Sequence, residues 1–258
     1  MDRRPRIDDI ILGSIGAHTP PSDTLDHALR YFSTWSGTDK LMMASSLQQA
    51  SQQTIMFPDF AIHVGKHKQL LDPDGLYKFA SQLSIARRIM GFWGLLAIFK
   101  GLSRLERSPP ESRFVLNIQR LQGLSMLVFY PLEYISFFSS PFVPLLRISP
   151  ATSAKAGIWS VRAWGIWVVL RIVELLDEWS RLGRKEHQMD EDTFKAAMKR
   201  KRAIVFQLVT NISRLPVILH WSVVGGIYKN EVWTSGLSLL SGMAAFWGGW
   251  EGIPVPSR

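Results

Sequence analysis

Between residues 76 and 104, the hydrophobic and polar positions follow the spacing of one amphipathic helix. Apolar residues recur at intervals of three and four, as on one helix face, at Leu76, Phe79, Ala80, Leu83, Ala86, Met90 and Trp93. No residue in this segment is acidic, and a basic amphipathic helix is suited to an anionic membrane surface. We therefore predict a lipid-binding helix whose lipid contacts are made by Lys78, Arg87, Arg88, Trp93 and Lys100. A buried core helix is the alternative interpretation, because core helices show the same spacing.

The second half of this predicted helix differs from the first. Residues 91–99 are apolar on all sides, although they are too few to cross a bilayer. Arg87 falls near the apolar face of the first half. We therefore expect part of the helix to pack on protein while its basic half meets lipid. Pro109 and Pro110 end it, because proline cannot continue the backbone hydrogen bonds of a helix.

Three segments in the C-terminal half are candidates for crossing a bilayer: residues 121–146, 203–228 and 232–250. Glu133 lies within the first, so this segment either buries the carboxylate against protein or lies shallowly. The last contains no charged residue and is the strongest candidate. A short polar turn separates the last two, which predicts a transmembrane hairpin. Both of its ends would share one side with the basic cluster Lys199–Arg202, and the positive-inside rule assigns that side to the cytosol.

Residues 157–182 carry a further amphipathic pattern, and residues 150–156 before them have the composition of a linker. The uninterrupted apolar run of this helix, residues 163–170, is too short to cross a bilayer. The predicted fold class is an all-α membrane protein with several amphipathic helices and a C-terminal transmembrane hairpin. Residues 1–110 would form an N-terminal amphipathic-helix region, and residues 111–258 a membrane-embedded helical region.

Small residues spaced four apart follow one another along the last candidate span. They form two ridges, and such ridges let transmembrane helices approach closely. One interpretation is self-association of the chain, and the other is packing against the preceding helix of the same chain. The residues predicted for oligomerisation are Ser238, Gly242, Ser241, Ala245 and Gly249.

Composition favours a membrane over nucleic acid as the anionic partner. The net charge of +9 and the pI of about 10.0 indicate such a partner. Ten tryptophans, several of them beside apolar stretches, are typical of interfacial anchors, and the chain lacks an arginine-rich recognition helix. The mean hydropathy of +0.06 is high for a soluble domain and low for a polytopic transporter. The absence of cysteine excludes a disulfide framework and a thiolate metal site.

The sequence shows no catalytic constellation. His63 and His67 are spaced four apart, as on a metal-binding helix face, but few further ligands lie nearby. Residues 13–16 lack the lysine and the spacing of a phosphate-binding loop. We therefore predict a protein that is not an enzyme and that has no metal and no cofactor. The N-terminus has no secretory pattern, so we expect targeting to depend on internal segments.

Four blocks of the sequence resemble the peroxin-eleven family of peroxisomal membrane proteins. Ser36-Gly-Thr-Asp-Lys-Leu41 is similar to the family's Ser-Gly-x-Asp-Lys motif, and Leu83-Ser-Ile-Ala-Arg-Arg88 is similar to its Leu-Ser-x-x-Arg-Lys segment. Tyr130-Pro-Leu-Glu133 stands where members carry an acidic residue in an apolar helix. Residues 232–242 resemble the terminal span with spaced Gly and Ser. The chain is thus similar to a divergent fungal-type member.

This resemblance implies an integral peroxisomal membrane protein with both termini cytosolic. Its expected function is to promote membrane elongation, proliferation and fission by inserting the basic amphipathic helix into the cytosolic leaflet. The expected partners are an anionic phospholipid membrane, further copies of the chain, and fission machinery recruited through the polar helix Lys40–Gln53. The alternative function is a pore for small metabolites, lined by Glu133, Arg214 and His220.

Overall fold

The described residues form six helices and no strand, which confirms the all-α prediction for this part of the chain. The computed structural model describes Tyr31 and residues 73–141, 143–185, 190–230 and 232–251. The helices are α1 (Pro73–Gly91), α2 (Gly94–Arg107), α3 (Arg113–Phe138), α4 (Pro150–Lys185), α5 (Glu191–Trp221) and α6 (Val232–Glu251). The family-like motif at residues 36–41, the polar helix predicted at residues 40–53 and the histidine pair lie outside these residues.

The single helix predicted over residues 76–104 is two helices, α1 and α2. A turn at Phe92 and Trp93 separates them, and Gly91 and Gly94 flank this turn. Glycine has a low helix propensity, and two glycines three residues apart weaken a helix at that point. A Cβ atom at position 94 would overlap the ring of Tyr130 on α3, so the glycine is also needed for close packing. The predicted end before Pro109 and Pro110 is confirmed, since α2 ends at Arg107.

The segment predicted to cross at residues 121–146 is helical only as far as Phe138. Pro131 lies inside α3 without ending it. Beyond Phe138 the chain leaves the helix, because Pro141 and Pro144 offer no backbone N–H to continue it. The continuous helix is therefore Arg113–Phe138, longer at its N-terminal end and shorter at its C-terminal end than the predicted segment.

The linker predicted at residues 150–156 is wrong, since these residues form the first two turns of α4. Pro150 occupies the first helical position, where its fixed φ is favourable and its missing N–H is not needed. The backbone N–H of Thr152 donates to the Ser149 hydroxyl over 3.1 Å, which caps the helix. The resulting helix has 36 residues.

Two of the described helices are long and apolar enough to cross a membrane, α4 over Pro150–Arg184 and α5 over Glu191–Trp221. The short apolar run at residues 163–170 was therefore not sufficient to exclude α4 as a membrane-crossing helix. Helix α6 carries no charged residue before Glu251. It is nevertheless not one of the two described helices that are apolar enough to cross a membrane, because its Ser, Thr, Gly and Trp residues lower its mean hydropathy.

Successive helices pack side by side, α2 on α3, α3 on α4, α4 on α5 and α5 on α6. The predicted C-terminal helical hairpin is formed by α5 and α6. It turns through Gly225 and Gly226, both at positive φ, and a Cβ atom at Gly226 would overlap the ring of His220. At its other end Arg202 and Glu251 form an ion pair of 2.7 Å. Tyr31, the one described residue before α1, packs on α6. Its hydroxyl donates to the carbonyl oxygen of Phe246.

The interior of this bundle contains polar side chains beside apolar ones, and many large apolar side chains lie on its outside. The buried polar residues include Gln122, Ser125, Glu174, Thr210, Asn211 and Ser241. The exposed apolar residues include Leu121, Leu124 and Val128 on α3, Ile166, Val169 and Leu176 on α4, Val205, Ile212 and Leu219 on α5, and Leu240, Met243 and Trp247 on α6. Exposed apolar surface of this extent marks an interaction with a membrane or a protein.

Candidate membrane-binding site

Helix α2 packs closely on α3 through two glycines. A Cβ atom at Gly94 would overlap Tyr130, and one at Gly123 would lie 2.8 Å from Cγ of Leu102. Each glycine thus admits a large side chain of the partner helix. Because Gly94 faces Tyr130 while Leu102 faces Gly123, the two helices run antiparallel.

An ion pair continues this contact at the C-terminal end of α2. Arg120 donates to both carboxylate oxygens of Glu106, from Nε over 2.7 Å and from Nη2 over 2.6 Å. These hydrogen bonds lower the pKa of Glu106 below its usual value. Both side chains are exposed, so the pair fixes alignment more than it adds stability.

The turn between α1 and α2 carries a cluster of exposed apolar side chains, which we call the elbow patch. Its members are Ile89, Met90, Phe92, Trp93, Leu96 and Phe99. Each is 45% to 67% exposed, and Trp93 is the most exposed. The Phe92 ring also packs on Tyr134 and Phe138 of α3, with ring centres 5.1 Å and 6.2 Å apart. The patch is therefore held in place while most of its surface stays open.

Helix α3 binds α1 beside the elbow patch. The Tyr134 hydroxyl donates to the carbonyl oxygen of Arg88 over 2.8 Å, and the Arg88 guanidinium lies 5.8 Å from the centre of the Phe137 ring. The cations that act on the half-buried Glu133 are Arg88 and Arg87. The structure thus brings together two of the family-like blocks, Leu83–Arg88 and Tyr130–Glu133.

The five predicted lipid-binding residues do not share one environment. Lys78, Trp93 and Lys100 are exposed, and Trp93 belongs to the elbow patch. Arg88 is exposed but lies over Phe137, and Arg87 is half-buried beside α3. The predicted apolar face is likewise mixed, because Phe79, Met90 and Trp93 are exposed whereas Leu83 and Ala86 are half-buried. The face of α2 that packs on protein carries Leu95, Ile98, Leu102 and Leu105.

A buried polar network joins α3, α4 and α5, and the sequence analysis did not predict it. Gln119 and Gln122 donate to the Glu174 carboxylate over 2.8 Å and 3.0 Å. Arg171 donates to Glu174 and to Gln207, each over 2.6 Å. The one available signal was the pair Arg171 and Glu174, three residues apart in an apolar helix. The network satisfies a carboxylate that would otherwise be costly to bury.

The residues predicted for oligomerisation contribute to packing within the chain. Ser241 and Gly242 are buried between α5 and α6. The Ser241 hydroxyl accepts a hydrogen bond from Nε of Arg214 over 2.8 Å and donates to the carbonyl oxygen of Thr210 over 3.0 Å. Self-association through the remaining members, Ser238, Ala245 and Gly249, stays a prediction; all three are partly exposed.

The three residues predicted to line a pore lie on two helices and make separate contacts. Glu133 lies on α3, next to Tyr134, which binds α1, and Arg214 of α5 donates to Ser241 of α6. His220 accepts the backbone N–H of Ile227 at Nδ1 over 3.0 Å and so organises the α5–α6 turn. Their positions do not favour the pore over membrane remodelling. Among the described residues, no three His, Cys, Asp or Glu side chains group as metal ligands.

Replacing Gly123 by alanine should weaken the contact between α2 and α3. The new methyl group would overlap Leu102, and overpacking of this kind costs about 1–3 kcal/mol of unfolding free energy. Gly101→Ala is the matched control, because a Cβ atom there meets nothing within 4 Å. The control should gain up to about 1 kcal/mol from helix propensity. Unfolding of both variants in detergent, followed by circular dichroism, checks this, and equal shifts of the two midpoints would contradict it.

Comparison with known proteins identifies the family to which this membrane-type bundle belongs. The chain matches the family model of Peroxisomal biogenesis factor 11 over residues 25–250. It is also 29% identical to an uncharacterized protein of Schizosaccharomyces pombe, over 169 residues that cover 65% of this chain and 75% of the relative. No solved structure matches the chain. The resemblance to this family is confirmed, and the chain belongs to the Peroxisomal biogenesis factor 11 family, whose members act in peroxisome biogenesis.

Proposed function

We propose that this chain is an integral peroxisomal membrane protein that promotes membrane elongation, proliferation and fission. The observation that carries the proposal is the elbow patch, an exposed apolar surface in a segment without acidic residues from position 76 to position 105. Cations flank it, with Lys78 and Arg88 on α1 and Lys100 and Arg104 on α2. Such a surface fits the acyl chains and anionic headgroups of a bilayer.

The bundle supports anchorage in the membrane. Helices α4 and α5 have the length and hydropathy to cross it, and the outward faces of α3 and α6 are apolar as well. Polar residues that would be costly in lipid are buried and hydrogen-bonded to neighbouring helices, as in the Glu174 network. We therefore place α3 to α6 in the bilayer, with α4 and α5 as the principal spans.

One end of the bundle carries more lysine and arginine residues than the other, with acidic residues among them. It carries the cluster Lys199–Arg202 together with Arg181 and Arg184, and both Arg113 and Glu251 lie at this end. The opposite end consists of residues 139–149 and the α5–α6 turn. The positive-inside rule favours the cytosol for the basic end, and so for both termini of the embedded region.

Insertion of the elbow patch into one leaflet supplies a physical mechanism. Burying each half-exposed apolar side chain in lipid contributes about 1 kcal/mol, and each cation near anionic headgroups contributes about as much. Material added to one leaflet expands it relative to the other, which favours curvature. Contact with further copies through α6, and recruitment of fission machinery through residues 40–53, would concentrate such insertions at one place.

Imaging of peroxisomes after deletion of the gene tests this function. Cells that lack the chain should contain fewer and larger peroxisomes, and re-expression of the full chain should restore their number and elongated shape. A chain with the elbow patch altered should reach the organelle without restoring them. Normal peroxisome number and shape in the deletion strain, together with impaired metabolite exchange, would favour the pore instead.

A further inference from the structure

We propose that α2 enters the bilayer steeply, along the axis of the bundle, and carries the elbow patch into the acyl chains. This inference rests on the proposed membrane anchorage of α4 and α5 and specifies how the elbow patch meets lipid. A helix lying flat in the headgroup layer is the arrangement that it excludes.

The orientation follows from two antiparallel contacts. Helix α2 runs antiparallel to α3, because Gly94 faces Tyr130 and Glu106 binds Arg120. Helix α3 packs along α4, with the Ser139 hydroxyl 2.7 Å from that of Ser153 at one end of the contact. Helix α2 therefore extends along the same axis as α4, which is one of the two helices able to cross a membrane.

The length of α2 matches half of a bilayer. Its 14 residues span about 21 Å. Half of a hydrocarbon core of about 30 Å, with one headgroup layer of about 6 Å, has the same thickness. With Arg107 at the headgroups, Trp93 at the opposite end would lie deep in the acyl region, where the neighbouring Phe92 packs on Tyr134 of α3.

The distribution of charge along α2 agrees with this orientation. Its elbow end exposes Leu96 and Phe99, whereas its other end exposes Lys100, Arg104 and Arg107. The apolar face of α2, which carries Leu95, Ile98, Leu102 and Leu105, packs on protein and is not free to lie on lipid, whereas its exposed side chains change from apolar to basic along the helix. Such a gradient places the apolar end in acyl chains and the basic end in headgroups.

The carboxylate of Glu133 fits the same picture. Arginines carried to the depth of the elbow patch would be costly without a counter-charge. Glu133 supplies one at this level, since Arg88 lies against Tyr134 and Phe137 of the same helix. This explains an acidic residue in an otherwise apolar part of α3.

Spin labels on the full chain can test the orientation, because the sequence contains no cysteine that would have to be removed. Leu96→Cys and Ser103→Cys form a matched pair, since both positions are exposed, on one face of α2, and two turns apart. Ile166→Cys on α4 serves as the reference inside the bilayer, and Lys199→Cys as the reference in water. Each variant is reconstituted in vesicles of phosphatidylcholine and phosphatidylserine, and collision of the label with oxygen and with a water-soluble nickel complex gives its depth.

We expect the label at position 96 to lie about 10 Å deeper than the label at position 103. Equal depths would overturn the steep orientation. Spin–spin broadening at position 96 would show contact with a second copy, and would therefore overturn the contact of the elbow patch with acyl chains. The same vesicles are imaged for shape, which separates the two proposals. Elongated vesicles with equal depths would reject only this inference, and unequal depths in round vesicles would reject only the remodelling function. A label at position 166 that is open to water would reject both.

Discussion

Replacing Leu96 by glutamate is expected to abolish vesicle elongation by this chain. The side chain is 60% exposed in the elbow patch, and a carboxylate there must enter the acyl region in place of an apolar group. On membrane-insertion scales, replacing leucine by a carboxylate costs about 3 kcal/mol of insertion free energy. This cost lowers the population of the inserted elbow patch roughly 100-fold. The bundle should keep its fold, because Leu96 is on the outward face of α2. Electron microscopy of reconstituted vesicles measures the effect.

Ser103→Glu is the matched control for this substitution. It adds the same charge on the same face of α2, two turns nearer to the basic end, where the side chain is already polar and exposed. Vesicles carrying this variant should elongate nearly as well as those carrying the unaltered chain. Elongation by the Leu96→Glu variant at the normal level would show that the elbow patch does not act by insertion.

Replacing Glu174 by alanine should destabilise the bundle by about 3–5 kcal/mol of unfolding free energy, since breaking a buried ion pair leaves a charge without its partner. The carboxylate accepts hydrogen bonds from Gln119, Gln122 and Arg171, and its side chain is only 8% exposed. Its removal leaves these donors unsatisfied at the centre of three helices. Thermal unfolding of the detergent-solubilised chain, followed by circular dichroism, reports the loss.

Glu178→Ala tests whether the effect belongs to the buried network. Glu178 lies one turn further along α4 and forms a two-bond ion pair with Arg200. Both side chains are partly exposed, so the loss should be at most about 1 kcal/mol. Similar losses for the two variants would show that the Glu174 network does not hold the helices together.

Sequence patterns predicted the elements that local chemistry determines. The spacing of apolar residues at intervals of three and four predicted helices, and Pro109 and Pro110 marked the end of α2 correctly. The acid-free segment drew attention to the part of the chain that carries the elbow patch. The family blocks were informative as well, because two of them, Leu83–Arg88 and Tyr130–Glu133, meet in the structure.

Features that depend on tertiary packing could not be predicted in this way. The close approach of Tyr130 to Gly94, beside the break at Phe92 and Trp93, joins residues far apart in sequence. The small residue Ser241 is an acceptor for Arg214 inside the chain, although its spacing alone is equally typical of a contact between copies. Because helix spacing defines faces but not their partners, the exposed face of α2 could be recognised only in the folded chain.

Electron microscopy of vesicles with the purified full chain tests membrane remodelling most directly. Vesicles containing phosphatidylserine, at physiological salt, should elongate into tubules as the amount of inserted protein rises. Vesicles that remain spherical, although the chain is shown to be inserted by its resistance to alkaline extraction, would contradict the proposed function.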